Sequence, residues 1–142
     1  MKQYTLPKTE RLYLRESIGE LFANGKSFSA FPYRVVYLAA DEAEAIDPET
    51  RPADAARAKR QGRCAIMAVA PKKRFKHAVD RNHVKRLTRE AYRLQKLPLL
   101  AALEAQHKTL EVAFVYVSNT FISFDETYRI LGRAIHKIIR TL

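Results

Sequence analysis

Apolar residues recur along this chain with two different periods, and the switches between them set out its elements. Ile18, Leu21 and Phe22 share one face at helical spacing within residues 15–24, and Gly25 follows where a helix would stop. Phe31, Tyr33, Val35 and Tyr37 then alternate with other residues at the strand period of two, while Val36 and Leu38 make the second face apolar as well. A strand covered on both sides is the expectation. RCAIMAVA at 63–70 is a second strand, closed by Pro71, which cannot donate a ladder hydrogen bond. LEVAFVYV at 110–117 is the most apolar strand of all. Between the first two strands, residues 41–61 (DEAEAIDPETRPADAARAKRQ) are rich in alanine and charge and broken by Pro48 and Pro52, which predicts a flexible charged loop.

Helical spacing returns in the second half. From about Asp80, placed as an N-terminal cap, Val84, Leu87, Ala91 and Leu94 form an apolar stripe. Pro98 ends or kinks that helix, and Leu99, Leu100 and Leu103 add a turn or two before Lys108. A final helix opens with Ser123 as cap and Glu126 as its capping-box partner, and its buried stripe is predicted to be Tyr128, Leu131, Ile135, Ile138 and Leu142. This order predicts an α+β class, helices packed on a small central sheet, in a single domain spanning 1–142.

Charge adds a partner class to this architecture. The net charge is +11, unevenly spread: residues 1–50 carry six basic and eight acidic residues, so the cationic surface belongs to the rest. Such a balance favours a polyanion. No apolar run approaches the roughly 18 residues of a membrane span and no signal-peptide pattern opens the chain, so the expectation is a cytoplasmic nucleic-acid-binding protein with no membrane association. Cys64 is the only cysteine, which excludes an internal disulfide and reads as a core residue.

The charge is densest in KKRFKHAVDRNHVKRLTREAYR, residues 72–93, with nine Lys or Arg. On a helix Arg81, Lys85, Arg89 and Arg93 line one stripe, widened by Asn82 and Arg86, and only Asp80 and Glu90 interrupt the repulsion. A solvated basic face is the bland alternative. Self-contained catalysis finds no support. Asp80 and Glu90 stand ten residues apart, about 15 Å along a helix, too far to share one metal. His77 and His83 lack metal-ligand spacing, and His107 and His136, both in predicted helices, have no recognisable nucleophile beside them. No catalytic or metal residue is assigned.

The ordered set Lys72, Lys73, Ala78, Val79, Arg81, Asn82, Lys85, Arg86, Arg89, Glu90 resembles the signature of the bacterial ribonuclease P protein, the basic subunit of an RNA-based endoribonuclease. The resemblance runs through most of the chain and is sharpest in this segment. It implies an αβββαβα order with a left-handed βαβ crossover, similar to ribosomal protein S5 domain 2. It also implies that the RNA subunit carries the catalytic groups and Mg²⁺, and that the partners are ribonuclease P RNA and precursor tRNA, with no obligate protein partner. The RNA-binding residues it implies are Lys72, Lys73, Arg74, Arg81, Asn82, Lys85, Arg86, Arg89 and Arg93. A cleft for the single-stranded 5′ leader would use Phe22 and Tyr37, with Lys73, Arg81 and Asn82 at its basic edge; for these two aromatics core packing is the competing reading, and Tyr92, on the basic side of its helix, is a weaker candidate for stacking. Two positions depart from the family pattern: His83 stands where an arginine is common, and Ile18 where a cleft aromatic is common, leaving Phe28 or Phe31 to supply stacking. The competing reading is a basic structural RNA-binding protein, ribosomal or an assembly factor. General basicity would serve that role without the ordered motif.

Overall fold

The computed structural model describes residues 11–12, 15–41 and 64–142. The charged loop predicted over 41–61 therefore lies outside the described residues, apart from Asp41. In chain order the elements are α1 (Arg15–Asn24), β1 (Lys26–Ala30), β2 (Tyr33–Asp41), β3 (Cys64–Val69), α2 (Ala78–Arg93), α3 (Leu97–Gln106), β4 (Lys108–Tyr116) and α4 (Phe124–Thr141). The class is α+β, as expected. β1 was absent from the residue-by-residue reading, because KSFSA offers little apolar alternation. It pairs antiparallel with β2 from Lys26 opposite Tyr37 to Ala30 opposite Tyr33, and Phe31 belongs to the intervening turn rather than to the strand.

The sheet order is β1-β2-β4-β3. β4 runs antiparallel to β2 and parallel to β3, and this central position explains its apolar run from Val112 onward. The parallel pair β3 and β4 is joined by a crossover that contains α2 and α3. Pro98 sits in the first turn of α3, where proline loses no helical hydrogen bond. His107 ends that helix as its left-handed C-cap.

Two cores follow from the two faces of the sheet. On one face Tyr33, Val35 and Tyr37 of β2, Ile66 of β3 and Val112, Phe114 and Tyr116 of β4 pack against α2, α3 and α4. Leu21 of α1 packs with Val36, Ala65 and Ala113 on the other, together with Leu12 from the chain start. Cys64 is buried in the larger core. The α4 cap is as predicted: Ser123 Oγ accepts a hydrogen bond from the Glu126 N–H at 3.2 Å. Its buried stripe is Thr127, Leu131, Ala134, Ile135 and Ile138, whereas Tyr128 points to solvent and Leu142 is half-buried.

Gly25 makes the tight passage from α1 into β1. A Cβ there would collide with the Leu21 carbonyl oxygen and lie 2.9 Å from that of Tyr37, both backbone atoms that cannot swing aside. Gly25→Ala is therefore expected to destabilise the fold by about 1–3 kcal/mol, despite the usual entropic gain of alanine. Chemical denaturation of the two proteins measures this, and equal midpoints would show that the junction yields.

Candidate nucleic-acid interface

α2 is held with one face inward by its own sequence. Val84, Thr88, Ala91 and Tyr92 are buried, at spacings of four, three and one. This corrects the predicted stripe: Leu87 is half-buried and Leu94 exposed, because the helix is rotated toward Thr88 and Tyr92. Thr88 tolerates burial because its hydroxyl donates to the Val84 carbonyl at 2.8 Å and accepts from the Tyr33 hydroxyl at 2.6 Å. Tyr92, considered above as a stacking aromatic, is fully buried against Phe114 and offers no ring to a ligand. Asp80 is not the cap either. His77 occupies that position without a side-chain cap bond, and Asp80 lies in the first turn, where its charge favours the helix dipole.

With this rotation Lys85, Arg86 and Arg89 line the outward flank, Arg86 exposed and the other two half-buried. Among the described residues no ion pair engages any of the three. Arg93 differs: its Nη2 meets Glu90 Oε2 at 2.7 Å and its Nε donates to Glu90 Oε1 at 3.2 Å. The hydrogen bond from Arg93 holds the Glu90 carboxyl below its usual range. The predicted four-residue stripe therefore presents fewer free cations than its formula, with Arg93 neutralised by its own neighbour.

Arg81 has a local task as well. Its Nη1 donates to the carbonyls of Phe75 and Lys76, both at 2.9 Å, and so ties the segment between β3 and α2 to the helix. Lys72, Lys73 and Lys76 on that segment are exposed and Arg74 is half-buried. Phe75 anchors it from below, buried against Tyr116. Phe121, half-exposed, stacks on Phe75 with centroids 5.0 Å apart and planes at 15°, and His83 meets it edge-on at 5.3 Å. An aromatic surface thus adjoins the cations. Sequence reasoning missed Phe121 because it lies in a non-periodic loop 38 residues after His83.

The expected leader cleft does not assemble as written. Phe22 is 48% exposed on α1 and free to stack, but Tyr37 is 7% exposed and turned to the opposite face of the sheet, edge-on to Phe28. The strand period is the reason: α1 covers the face carrying Val36 and Leu38, which excludes Tyr37. The partly open apolar residues on the α1 side are Ile18, Leu38, Met67 and Val115. Asn82 is exposed on α2 with Arg81 half-buried beside it. Among the described residues no three His, Cys, Asp or Glu are grouped to hold a metal, and none of their helices is long and apolar enough to cross a membrane.

A family model described as Ribonuclease P matches residues 6–137. The ribonuclease P protein component of Porphyromonas gingivalis is 36% identical over 135 residues, an alignment covering 95% of this chain and 87% of that protein. That of Chlorobium phaeobacteroides is 29% identical, covering 94% and 88% respectively. In three dimensions the chain is similar to the Staphylococcus aureus RNase P protein, with a TM-score of 0.58 over 91% of this chain and 94% of that one; at 15% identity this likeness concerns the fold.

Proposed function

The chain belongs to the ribonuclease P protein family, whose function is processing of the tRNA 5′ end, and on that premise we propose how its residues serve the holoenzyme. It is the protein subunit of an endoribonuclease whose catalysis lies with the RNA. Lys85, Arg86 and Arg89 of α2, extended by Lys72, Lys73 and Lys76 on the tied segment, bind phosphates of the ribonuclease P RNA. One observation carries this reading: a rigid helix presents three cations that no acid among the described residues neutralises. Guanidinium groups suit the task, since their forked donors match phosphate oxygens. Binding releases counterions and is therefore steeply salt-dependent.

Precursor tRNA would meet the α1 side of the sheet, where Phe22 provides a half-exposed ring for an unpaired leader base. Asn82 and Lys73 supply polar contacts at the end of α2. Tyr37 is not part of this surface. Ribonuclease P is a metal-dependent ribonucleoprotein, and among the described residues the acids of α2 do not fit a metal: Glu90 is held by Arg93, and Asp80 is ten residues away on the same helix. Mg²⁺ is accordingly assigned to the RNA, and the protein's part is to neutralise and orient. The cytoplasm is the compartment this reading implies.

Cleavage of a 5′-extended precursor tRNA by the cognate RNA at low Mg²⁺, with and without the purified chain, is the direct test. Stimulation only in the combined reaction is expected. Tight RNA binding without stimulation would move the chain to general RNA binding, and cleavage by protein alone would reveal an active site in it.

A further inference from the structure

A groove of about 270 Å³ opens between the edge strand β1 and α4. It lies on the sheet face opposite α1, because Phe28 and Ala30 pack toward the core that α4 covers. Phe28, Phe31, Ile130 and Ala134 give it apolar walls, and Arg133 and Lys137 stand on its α4 side. None of its lining residues is acidic. Phe31 is 70% exposed, so its ring is open to a ligand at the rim of the groove. Lys137 Nζ sits 4.5 Å from the centroid of the Phe28 ring, so a cation–π contact holds the ammonium over the groove.

The outer face of α4 repeats the electrostatic oddity of α2. Arg129, Arg133 and Lys137 are exposed at successive intervals of four, which places like charges one turn apart. Asp125 precedes Arg129 by four on the same row and Glu126 adjoins it, so the acids of α4 sit at the first cation and leave Arg133 and Lys137 without an acid one turn away on this row. Repulsion of this kind persists only at some cost to the helix, and a polyanion would relieve it. Volume narrows the choice further: the groove falls below the roughly 300–1,000 Å³ typical of drug-sized ligands and suits a single base.

We propose that this groove is a second RNA site, which holds one unpaired nucleotide with its base against Phe31 and its phosphate between Arg133 and Lys137. Stacking supplies affinity without sequence preference, because every base has a π-face. The site takes single-stranded RNA rather than duplex, since a paired base could not enter a groove beside a sheet edge. It rests on the assignment of the chain as an RNA-binding protein, but needs neither α2 nor the α1 side of the sheet.

The chain contains no tryptophan, so Phe31→Trp introduces a single emitting indole at the proposed stacking position. Phe31 is exposed enough that the exchange leaves the core untouched. Titration with a uridine octanucleotide is expected to quench that emission, and adding Arg133→Ala with Lys137→Ala to weaken the quenching titration about tenfold. Adding Lys85→Ala, Arg86→Ala and Arg89→Ala instead should leave the quenching in place, which separates this site from α2 whatever happens to holoenzyme assembly. An abasic octamer of equal charge should bind without quenching. The proposal is overturned if the indole stays bright while anisotropy of labelled RNA reports saturation, if the abasic octamer quenches equally, or if the Arg133 and Lys137 substitutions change nothing.

Discussion

Replacing Lys85, Arg86 and Arg89 together with alanine is expected to lower affinity for ribonuclease P RNA about 100-fold near physiological salt. Each lost phosphate contact should reduce the slope of log K against log salt by about one unit. Extrapolated to about 1 M salt, where counterion release no longer contributes, the difference between the two proteins should nearly close. Stability should not fall, because alanine is the best helix former and the substitutions remove like-charge repulsion along α2. Two neighbouring arginines serve as internal comparisons. Arg93→Ala should change affinity little, since Glu90 already engages its guanidinium. Arg81→Ala should act indirectly, by freeing the segment that its bonds to the Phe75 and Lys76 carbonyls hold in place. Filter binding across a salt series separates these cases. An unchanged slope for the triple variant would remove α2 from the interface.

These contrasts between adjacent arginines were not legible in the chain, although the helix that carries them was. Periodicity located α1 to the residue, and placed β3, β4 and α4 to within a residue or two, because each has a strong apolar rhythm and a definite stop such as Gly25, Pro71 or the Ser123 cap. β1 escaped because its side chains are small or polar and its pairing depends on β2. The rotation of α2 escaped for a related reason. Thr88 is polar by formula and lies outside the predicted apolar stripe, yet Tyr33, 55 residues away, supplies the hydrogen bond that permits its burial. A single sequence carries no sign of that partner.

Tyr37 lies in the core rather than beside α1 through a similar ambiguity. Alternation says that Tyr33, Val35 and Tyr37 share a face, but not which helix that face will meet. β2 is apolar on both sides, so either assignment satisfied the pattern. Only the packed arrangement decides, and it gives Val36 and Leu38 to α1. The groove at β1 and α4 is harder still to foresee. Its aromatic residues lie near position 30 and its cations beyond position 130, and none belongs to the basic motif.

Tyr33→Phe is expected to remove most of one step in the alkaline unfolding of this protein. Burial pushes the Tyr33 hydroxyl up from 10.0 to about 12, a rise that the hydrogen bonds with Thr88 and Thr127 oppose and nearby Tyr116 reinforces. The folded state therefore favours the neutral phenol. Its contribution is complete below pH 10 and is lost as pH rises toward 12, by an amount of about 2–3 kcal/mol for a two-unit shift. Tyr116 is raised by burial too and adds loss in the same direction. At neutral pH the substitution should cost only about 1 kcal/mol, because the Thr88 and Thr127 hydroxyls keep their own bonds to the carbonyls of Val84 and Ser123. Denaturant titrations at pH 8, 10 and 11.5 read the difference, and parallel losses in both proteins would show that Tyr33 does not set it. The consequence reaches function, because this hydroxyl joins β2 to the buried face of α2. Ionising it loosens the helix whose outer face carries Lys85, Arg86 and Arg89, and protein stability is the readout, because lysine discharges at about pH 10.4 and RNA is hydrolysed over the same interval.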